Sequence, residues 1–65
     1  MCLSTVYKKN SGSPDNILLE YVTEAETSGE DLIFRDITGG EVCVTGRIEK
    51  IDLVKNIIII EPSSD

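Results

Sequence analysis

The second residue of the chain is a cysteine whose position can give it two metal-binding groups. Cys2 directly follows Met1, and methionine aminopeptidase removes an initiator methionine that precedes a small side chain. Removal would leave Cys2 with an α-amine and a thiol on adjacent carbons, which together close a chelate ring on a metal ion. Because the metal displaces a proton from each group, this aminothiolate is a candidate metal-binding site.

The ligand types narrow the choice of metal. A thiolate and a nitrogen suit Ni(II), Cu or Zn, and a square-planar set of two nitrogens and two sulfurs indicates Ni(II) or Cu(II). One chain supplies half of such a set, and two copies related by a two-fold axis supply all of it. The competing interpretation is that Cys2 is a small, half-buried hydrophobic residue at the start of an edge strand.

The second cysteine, Cys43, lies between Val42 and Val44. This setting predicts a packed thiol more than a metal ligand. A pairing of Cys43 with Cys2 across a sheet, binding metal or forming a disulfide, is left open by the sequence. A reducing cytosol disfavours the disulfide.

Composition excludes several classes of function. The chain has 65 residues, a net charge of -6 and no histidine, so Ser-His-Asp and Cys-His catalysis are excluded and no enzymatic activity is expected. The excess of acidic over basic residues, twelve against six, disfavours binding to nucleic acid because phosphates repel negative charge. The carboxylates of the segment 24–31 lack the spacing of a calcium loop and predict a solvated face. With no signal peptide and no long apolar run, we expect a cytoplasmic protein that does not bind membranes.

Apolar residues alternate with a period of two and predict a small all-β fold. The expected architecture is an antiparallel sheet of five or six strands, curled into a partly open barrel of the SH3 or Sm type, with an OB-like topology as the alternative. Paired glycines predict a type I′ hairpin at 38–40, and Gly46 predicts a bend. The predicted strands are 2–8, 16–24, 31–37, 41–46 continuing into 47–52, and 57–61. Residues 1–61 form the predicted domain, and 62–65 a frayed tail.

Four consecutive isoleucines, 57–60, form the last predicted strand. Successive side chains of a strand point to opposite faces, so both faces of this strand are apolar. A domain of this size has one core, and the second face then needs a cover. We expect a second copy of the chain to supply it, with Ile58 and Ile60 at the homodimer interface; the alternative is a central strand covered by loops of its own chain.

The start MCLSTVY, the length and the closing segment GRIEKIDLVKNIIIIE resemble the CooT family. These are small accessory proteins associated with the maturation of nickel-containing carbon monoxide dehydrogenase. The resemblance implies a compact all-β homodimer that binds Ni(II) at its interface through the cysteine after the initiator methionine, here Cys2. It implies a metallochaperone or nickel reservoir, with the nickel enzyme or its maturation factors as partners.

The Met-Cys-Leu start also resembles the hydrogenase maturation chaperones of the HypC type. In those proteins a small residue, an aliphatic residue and a proline follow. Here Ser4-Thr5-Val6 follows and the proline is missing, so this resemblance ranks second. A further alternative is a metal-free interaction module that uses the acidic segment 20–31 to bind a basic partner.

Overall fold

The computed structural model describes residues 3–9 and 16–63, in which the chain forms five β-strands. The strands are β1 Ser4–Lys8, β2 Ile17–Ser28, β3 Asp31–Asp36, β4 Glu41–Asp52 and β5 Ile57–Pro62. The predicted all-β class is confirmed. β2 is longer than predicted because its second half pairs with β3 in an exposed hairpin. Cys2 and residues 10–15, between the first two predicted strands, lie outside the described residues.

The strands form a closed barrel in which each strand lies beside its neighbours in sequence. Four pairings are antiparallel, and the barrel closes through a parallel pairing of β1 with β5. The fold therefore differs at this seam from the predicted partly open, antiparallel sheet. An up-and-down chain with an odd number of strands brings its first and last strands together in the same direction. The sequential order also differs from the Greek-key order of an OB-fold, and the SH3 or Sm type stays a prediction.

Six buried side chains fill the barrel interior. They are Val6, Val22, Leu32, Phe34, Ile58 and Ile60. β4 adds two partly buried side chains, Val44 and Ile48, which pack against this cluster. Every strand thus contributes to one apolar core, and burial of that surface is the main favourable term in folding.

The isoleucines of β5 point alternately to the two faces of the strand, as predicted. The pair that faces the barrel interior is Ile58 and Ile60, which are predicted from the sequence to lie at the dimer interface. Ile58 is 7% exposed and Ile60 is fully buried in the core of the same chain. Ile57 and Ile59 are half-buried on the outer side of the barrel. The assignment of Ile58 and Ile60 to an interface between copies is therefore wrong, because barrel closure uses these side chains as core.

β4 pairs with two different strands along its length. Residues 41–45 pair with β3 and residues 46–52 pair with β5. The change of partner occurs at Gly46, where a Cβ atom would lie 2.7 Å from the Cα of Pro62 and against the carbonyl of Glu61. β4 continues through the predicted bend, and glycine is required there because β5 approaches its backbone closely.

β5 includes Pro62, the first residue of the predicted tail. Its partner Gly46 donates its N–H to the carbonyl of Glu30 over 3.2 Å, on the opposite side of β4. The ladder therefore needs no N–H from Pro62 at this position. Ser63 then donates its N–H to the Thr45 carbonyl over 2.8 Å. Two residues of the predicted frayed tail are thus attached to β4, and residues 64–65 lie outside the described part.

The predicted hairpin between β3 and β4 is present with a different turn. Gly39 has a φ of 94°, whereas Gly40 has no positive φ. A type I′ turn needs positive φ at both central residues. Instead, Asp36 bonds to Gly40 over 2.9 Å and to Gly39 over 3.1 Å through the backbone, which makes a three-residue connection ending in a left-handed glycine.

Candidate functional site

The chain enters the barrel between β5 and the middle of β2. Thr5 donates its N–H to the carbonyl of Asn56, in the turn before β5, over 3.0 Å. On its other side, Ser4 pairs with Val22 of β2. The structure thereby positions the first described residues of the N-terminal segment, and Cys2 precedes them outside the described part. We call this region the N-terminal entry.

Exposed apolar side chains flank the N-terminal entry on both sides. Within residues 3–9 and 16–63 the large hydrophobic residues that are exposed are Tyr21, Ile37, Ile51, Leu53 and Val54. Three of them belong to the end of β4 and the turn beside β1. The other two are Tyr21, within β2, and Ile37, which directly follows β3 and donates its N–H to the Tyr21 carbonyl over 2.9 Å. The exposed large hydrophobic residues of the described part thus lie on strands and turns adjacent to the N-terminal entry, where another protein could cover them.

Tyr21 has a strained backbone beside this entry. Its φ is 61° although it lies within β2, and a bulky residue rarely adopts this conformation. The register between β1 and β2 shifts on either side of Val6, so the strand bends there. The bend turns Tyr21 outward, where it is 60% exposed, instead of into the core beside Val22.

The turn between β4 and β5 is held by a carboxylate. Asp52 accepts hydrogen bonds at Oδ1 from the N–H groups of Val54, over 3.0 Å, and Lys55, over 2.9 Å. The Lys55 bond is the main reason that the pKa of Asp52 lies below its ordinary value. Asn56 completes the turn with a φ of 58°, a conformation that asparagine tolerates.

A second carboxylate holds the turn between β3 and β4. Asp36 accepts at Oδ1 from the hydroxyl of Thr38 over 2.7 Å, from the Thr38 N–H over 2.9 Å and from the Gly40 N–H over 2.8 Å. The hydroxyl bond is the largest of the causes that lower the pKa of Asp36. Asp36 and Asp52 thus both accept hydrogen bonds from backbone N–H groups of their turns, and these bonds stabilise the turn conformations.

The outer face of β1 and β5 carries a half-buried apolar strip. In the parallel register, Thr5 lies opposite Ile57 and Tyr7 opposite Ile59. We call Tyr7, Ile57 and Ile59 the outer strip. The same face ends in charges, where Lys9 lies 3.6 Å from Glu61.

An ion pair with β4 fixes the charged end of this face. Arg47 bonds to the Glu61 carboxylate over 3.0 Å. This bond is the main cause that lowers the pKa of Glu61, and the charge of Lys9 adds to it. Lys9 also lies 3.7 Å from Glu49, so ion pairs connect the residue that follows β1 with β4 and β5 at this end.

The acidic segment of β2 is partly neutralised. Arg35 on β3 contacts Glu26 at 2.8 Å, Glu24 at 3.2 Å and Glu41 at 3.6 Å. Hydrogen bonds to these carboxylates, led by Glu26, raise the pKa of Arg35. The predicted solvated face is therefore present, organised around one arginine whose positive charge offsets part of it.

Cys43 is exposed, so the prediction of a packed thiol is wrong. The neighbouring Val44 packs against the core, and strand alternation then places Cys43 outside. Cys43 lies in the part of β4 that pairs with β3, opposite Ile33. β1 pairs with β2 and β5 and not with β4, so the two strands that follow Cys2 and carry Cys43 are not neighbours.

Among residues 3–9 and 16–63, no three side chains of His, Cys, Asp or Glu lie close enough to hold a metal ion. In the same residues no helix is long and apolar enough to cross a membrane.

Leu53 and Val54 lie between the predicted strands 47–52 and 57–61, and no functional role is predicted for them from the sequence. The structure exposes them by 80% and 91%. Their residue types carry a signal that could have been used, because turns favour Gly, Pro, Asn, Asp and Ser. Two adjacent aliphatic residues in a turn are unexpected unless something covers them.

A family model and a solved structure are similar to this chain. The family model described as CooT, CO dehydrogenase accessory protein CooT, matches residues 1–61. No curated protein matches the chain. The crystal structure of a candidate CooT from Carboxydothermus hydrogenoformans is similar, with a TM-score of 0.84 and 22% identity over 97% of this chain and 100% of that one. At this identity the second similarity supports the fold alone.

Proposed function

Since the chain belongs to the CooT family of CO dehydrogenase accessory proteins, we propose that it binds Ni(II) for the maturation of a nickel-containing carbon monoxide dehydrogenase. Nickel is its cargo, which it delivers or stores. The protein performs no covalent chemistry itself. The observation that carries the proposal is the match of the family model from residue 1 onward, which includes the Met-Cys-Leu start.

Cys2 is the nickel ligand in this proposal. After removal of Met1, its thiolate and α-amine form the aminothiolate set that suits Ni(II). Two copies complete a square-planar set. What supports this placement is the N-terminal entry, where Thr5 and Ser4 are held between two strands. The chain leading to Cys2 therefore starts from a fixed point.

A homodimer completes the site, and the outer strip is its proposed interface. Tyr7, Ile57 and Ile59 are half-buried on the face formed by β1 and β5. β1 is the strand that Cys2 precedes, so an interface on this face lies close to the N-terminal entry in each copy. A two-fold contact through one shared strand would bring the two N-terminal segments into the same region.

Equilibrium dialysis against Ni(II) tests the proposal with a matched pair of variants. The wild type is expected to bind about one ion per two chains, as the two-fold arrangement requires. Cys2→Ser removes the thiolate and should abolish binding, whereas Cys43→Ser removes an exposed thiol and should leave binding unchanged. Equal retention in both variants would overturn the assignment of Cys2.

Two further measurements examine the ligand chemistry. Intact mass shows whether Met1 is removed, because retained Met1 would leave Cys2 without the free amine. Nickel affinity should also fall as the pH is lowered, since protons compete for both donor groups. Binding that is independent of pH would contradict an aminothiolate site.

A further inference from the structure

The turn between β4 and β5 displays two aliphatic side chains to solvent. Leu53 is 80% exposed and Val54 is 91% exposed, and we call this pair the apolar tip. Ile51, just before it, is 51% exposed. Single exposed apolar residues are ordinary on protein surfaces, but a contiguous group marks a contact with another molecule.

The apolar tip is held in a fixed backbone conformation. Asp52 accepts hydrogen bonds from the N–H groups of Val54 and Lys55. On the other side, the carbonyl of Asn56 is bonded to Thr5 of β1. Presenting side chains on a preordered turn reduces the entropy lost when a partner binds them.

The charges around the apolar tip indicate the chemistry of its partner. The chain has a net charge of -6 with six basic residues, and Lys50 and Lys55 flank the tip. Both lysines lie close enough to Asp52 to lower its pKa, and the Asp52 carboxylate is occupied by the turn. The tip is thus an apolar contact with a basic border, which complements an apolar pocket with an acidic rim.

The apolar tip also lies next to the N-terminal entry. Thr5 bonds directly to Asn56 in the same turn, and Cys2 lies three residues before Thr5. Three residues span at most about 11 Å when fully extended. A protein that binds the tip is therefore also close to Thr5, from which the chain leads back to Cys2.

We propose that the apolar tip is the docking contact for the protein that receives the metal, and that this recipient presents an apolar pocket rimmed by carboxylates. The inference rests on the proposed function, because it assigns the partner of the same site. Leu53 and Val54 supply the buried contact. Lys50 and Lys55 supply charge complementarity, which speeds association and makes it sensitive to salt.

Binding to nickel-free carbon monoxide dehydrogenase tests the inference. The double variant Leu53→Ser/Val54→Ser should bind the immobilised enzyme at least about tenfold more weakly than the wild type, as expected for loss of a central apolar contact. Ala25→Ser is the control, because Ala25 is exposed in the part of β2 that pairs with β3 and not with β1. It should bind as the wild type does.

A second pair of variants tests the basic border. Lys50→Gln/Lys55→Gln should slow association and weaken its dependence on salt concentration. Lys8→Gln, which removes an exposed lysine from β1, should leave both unchanged. Equal effects in the two variants would show a general charge effect and would overturn the role of the border.

Nickel dialysis and hydrodynamic size, measured on the same variants, separate this inference from the proposed function. Unchanged enzyme binding in the Leu53→Ser/Val54→Ser variant overturns the inference and leaves the nickel site intact. A change in hydrodynamic size in that variant assigns the tip to a contact between copies and also overturns it. Failure of the wild type to bind nickel overturns the proposed function, while the enzyme-binding comparison still decides the role of the tip.

Discussion

The N–H of Thr5 and the carbonyl of Asn56 are joined by a 3.0 Å hydrogen bond between the first strand and the last turn of the barrel. This bond links two parts of the chain that are far apart in sequence. It sets the N-terminal entry and the apolar tip side by side. Metal presentation and recognition of a recipient can therefore share one end of a small protein.

The proposed dimer interface predicts the effect of a charge on the outer strip. Ile59→Lys places an ammonium group on the outer face of β5 without entering the core. The hydrodynamic mass is expected to fall by about half, because an unpaired charge is costly at a dimer interface. Size-exclusion chromatography with light scattering measures it.

Thr27→Lys, at an exposed position of β2, is the control and should keep the wild-type mass. A dimeric Ile59→Lys protein would contradict an interface on this face. Ile58→Lys cannot serve for this test, because Ile58 is 7% exposed in the core and the substitution would unfold the chain.

Core packing predicts different outcomes for the same substitution at two isoleucines. Ile60→Val removes a methylene group from a fully buried side chain, and the free energy of unfolding should fall by about 0.5–1.5 kcal/mol. Ile37→Val makes the same change at a residue that is 54% exposed, and should alter it by less than about 0.5 kcal/mol. Urea denaturation measures both, and equal losses would be inconsistent with the described core.

The close approach of β5 to Gly46 predicts that a side chain at this position destabilises the fold. In Gly46→Ala the new Cβ would lie 2.7 Å from the Cα of Pro62, a backbone atom that cannot rotate away. The free energy of unfolding should fall by about 1–3 kcal/mol, as for other overpacked sites. Cys43→Ala on the same strand changes an exposed side chain and should stay within about 0.5 kcal/mol. Similar stability of the two variants would argue against the close approach of β5.

The hydrogen bonds to the Asp36 carboxylate predict that the free energy of unfolding falls at acid pH. Hydrogen bonds from Thr38 and Gly40 lower its pKa in the folded state. Its contribution is therefore complete above the unfolded value of about 3.9 and is lost as the pH falls through the lower folded pKa. Asp36→Asn keeps an acceptor oxygen but cannot titrate. Its unfolding free energy should change less between neutral pH and pH values below about 3.9 than that of the wild type, and an identical pH profile would contradict the assignment.

Much of the strand pattern could be predicted from the sequence. Alternation along 57–60 correctly predicted two opposed pairs of isoleucines, but periodicity alone does not say which pair faces inward. That choice depends on how β5 meets β1, where Ile58 lies opposite the buried Val6. Closure of the barrel is a long-range event, which local patterning does not encode.

The candidate site, too, could be predicted only in part from the sequence. The chemistry of Cys2 follows from its residue type and its place after Met1, and the predicted resemblance to the CooT family is confirmed by the family match. The exposure of Cys43 could not be derived, because Val42 and Val44 made a packed thiol the simpler expectation. The exposure of Leu53 and Val54 depends on the turn that Asp52 holds, and the strained φ of Tyr21 depends on a register shift between β1 and β2.

The parallel pairing of β1 with β5 also determines where the protein can be attached to other material. With five strands running alternately up and down, β1 begins at one rim of the barrel and β5 finishes at the opposite rim. A fusion partner, affinity tag or surface linker joined beyond Ser63 would emerge on the side away from Ser4. Immobilised protein would then offer the N-terminal entry to a nickel solution or to a recipient enzyme without obstruction.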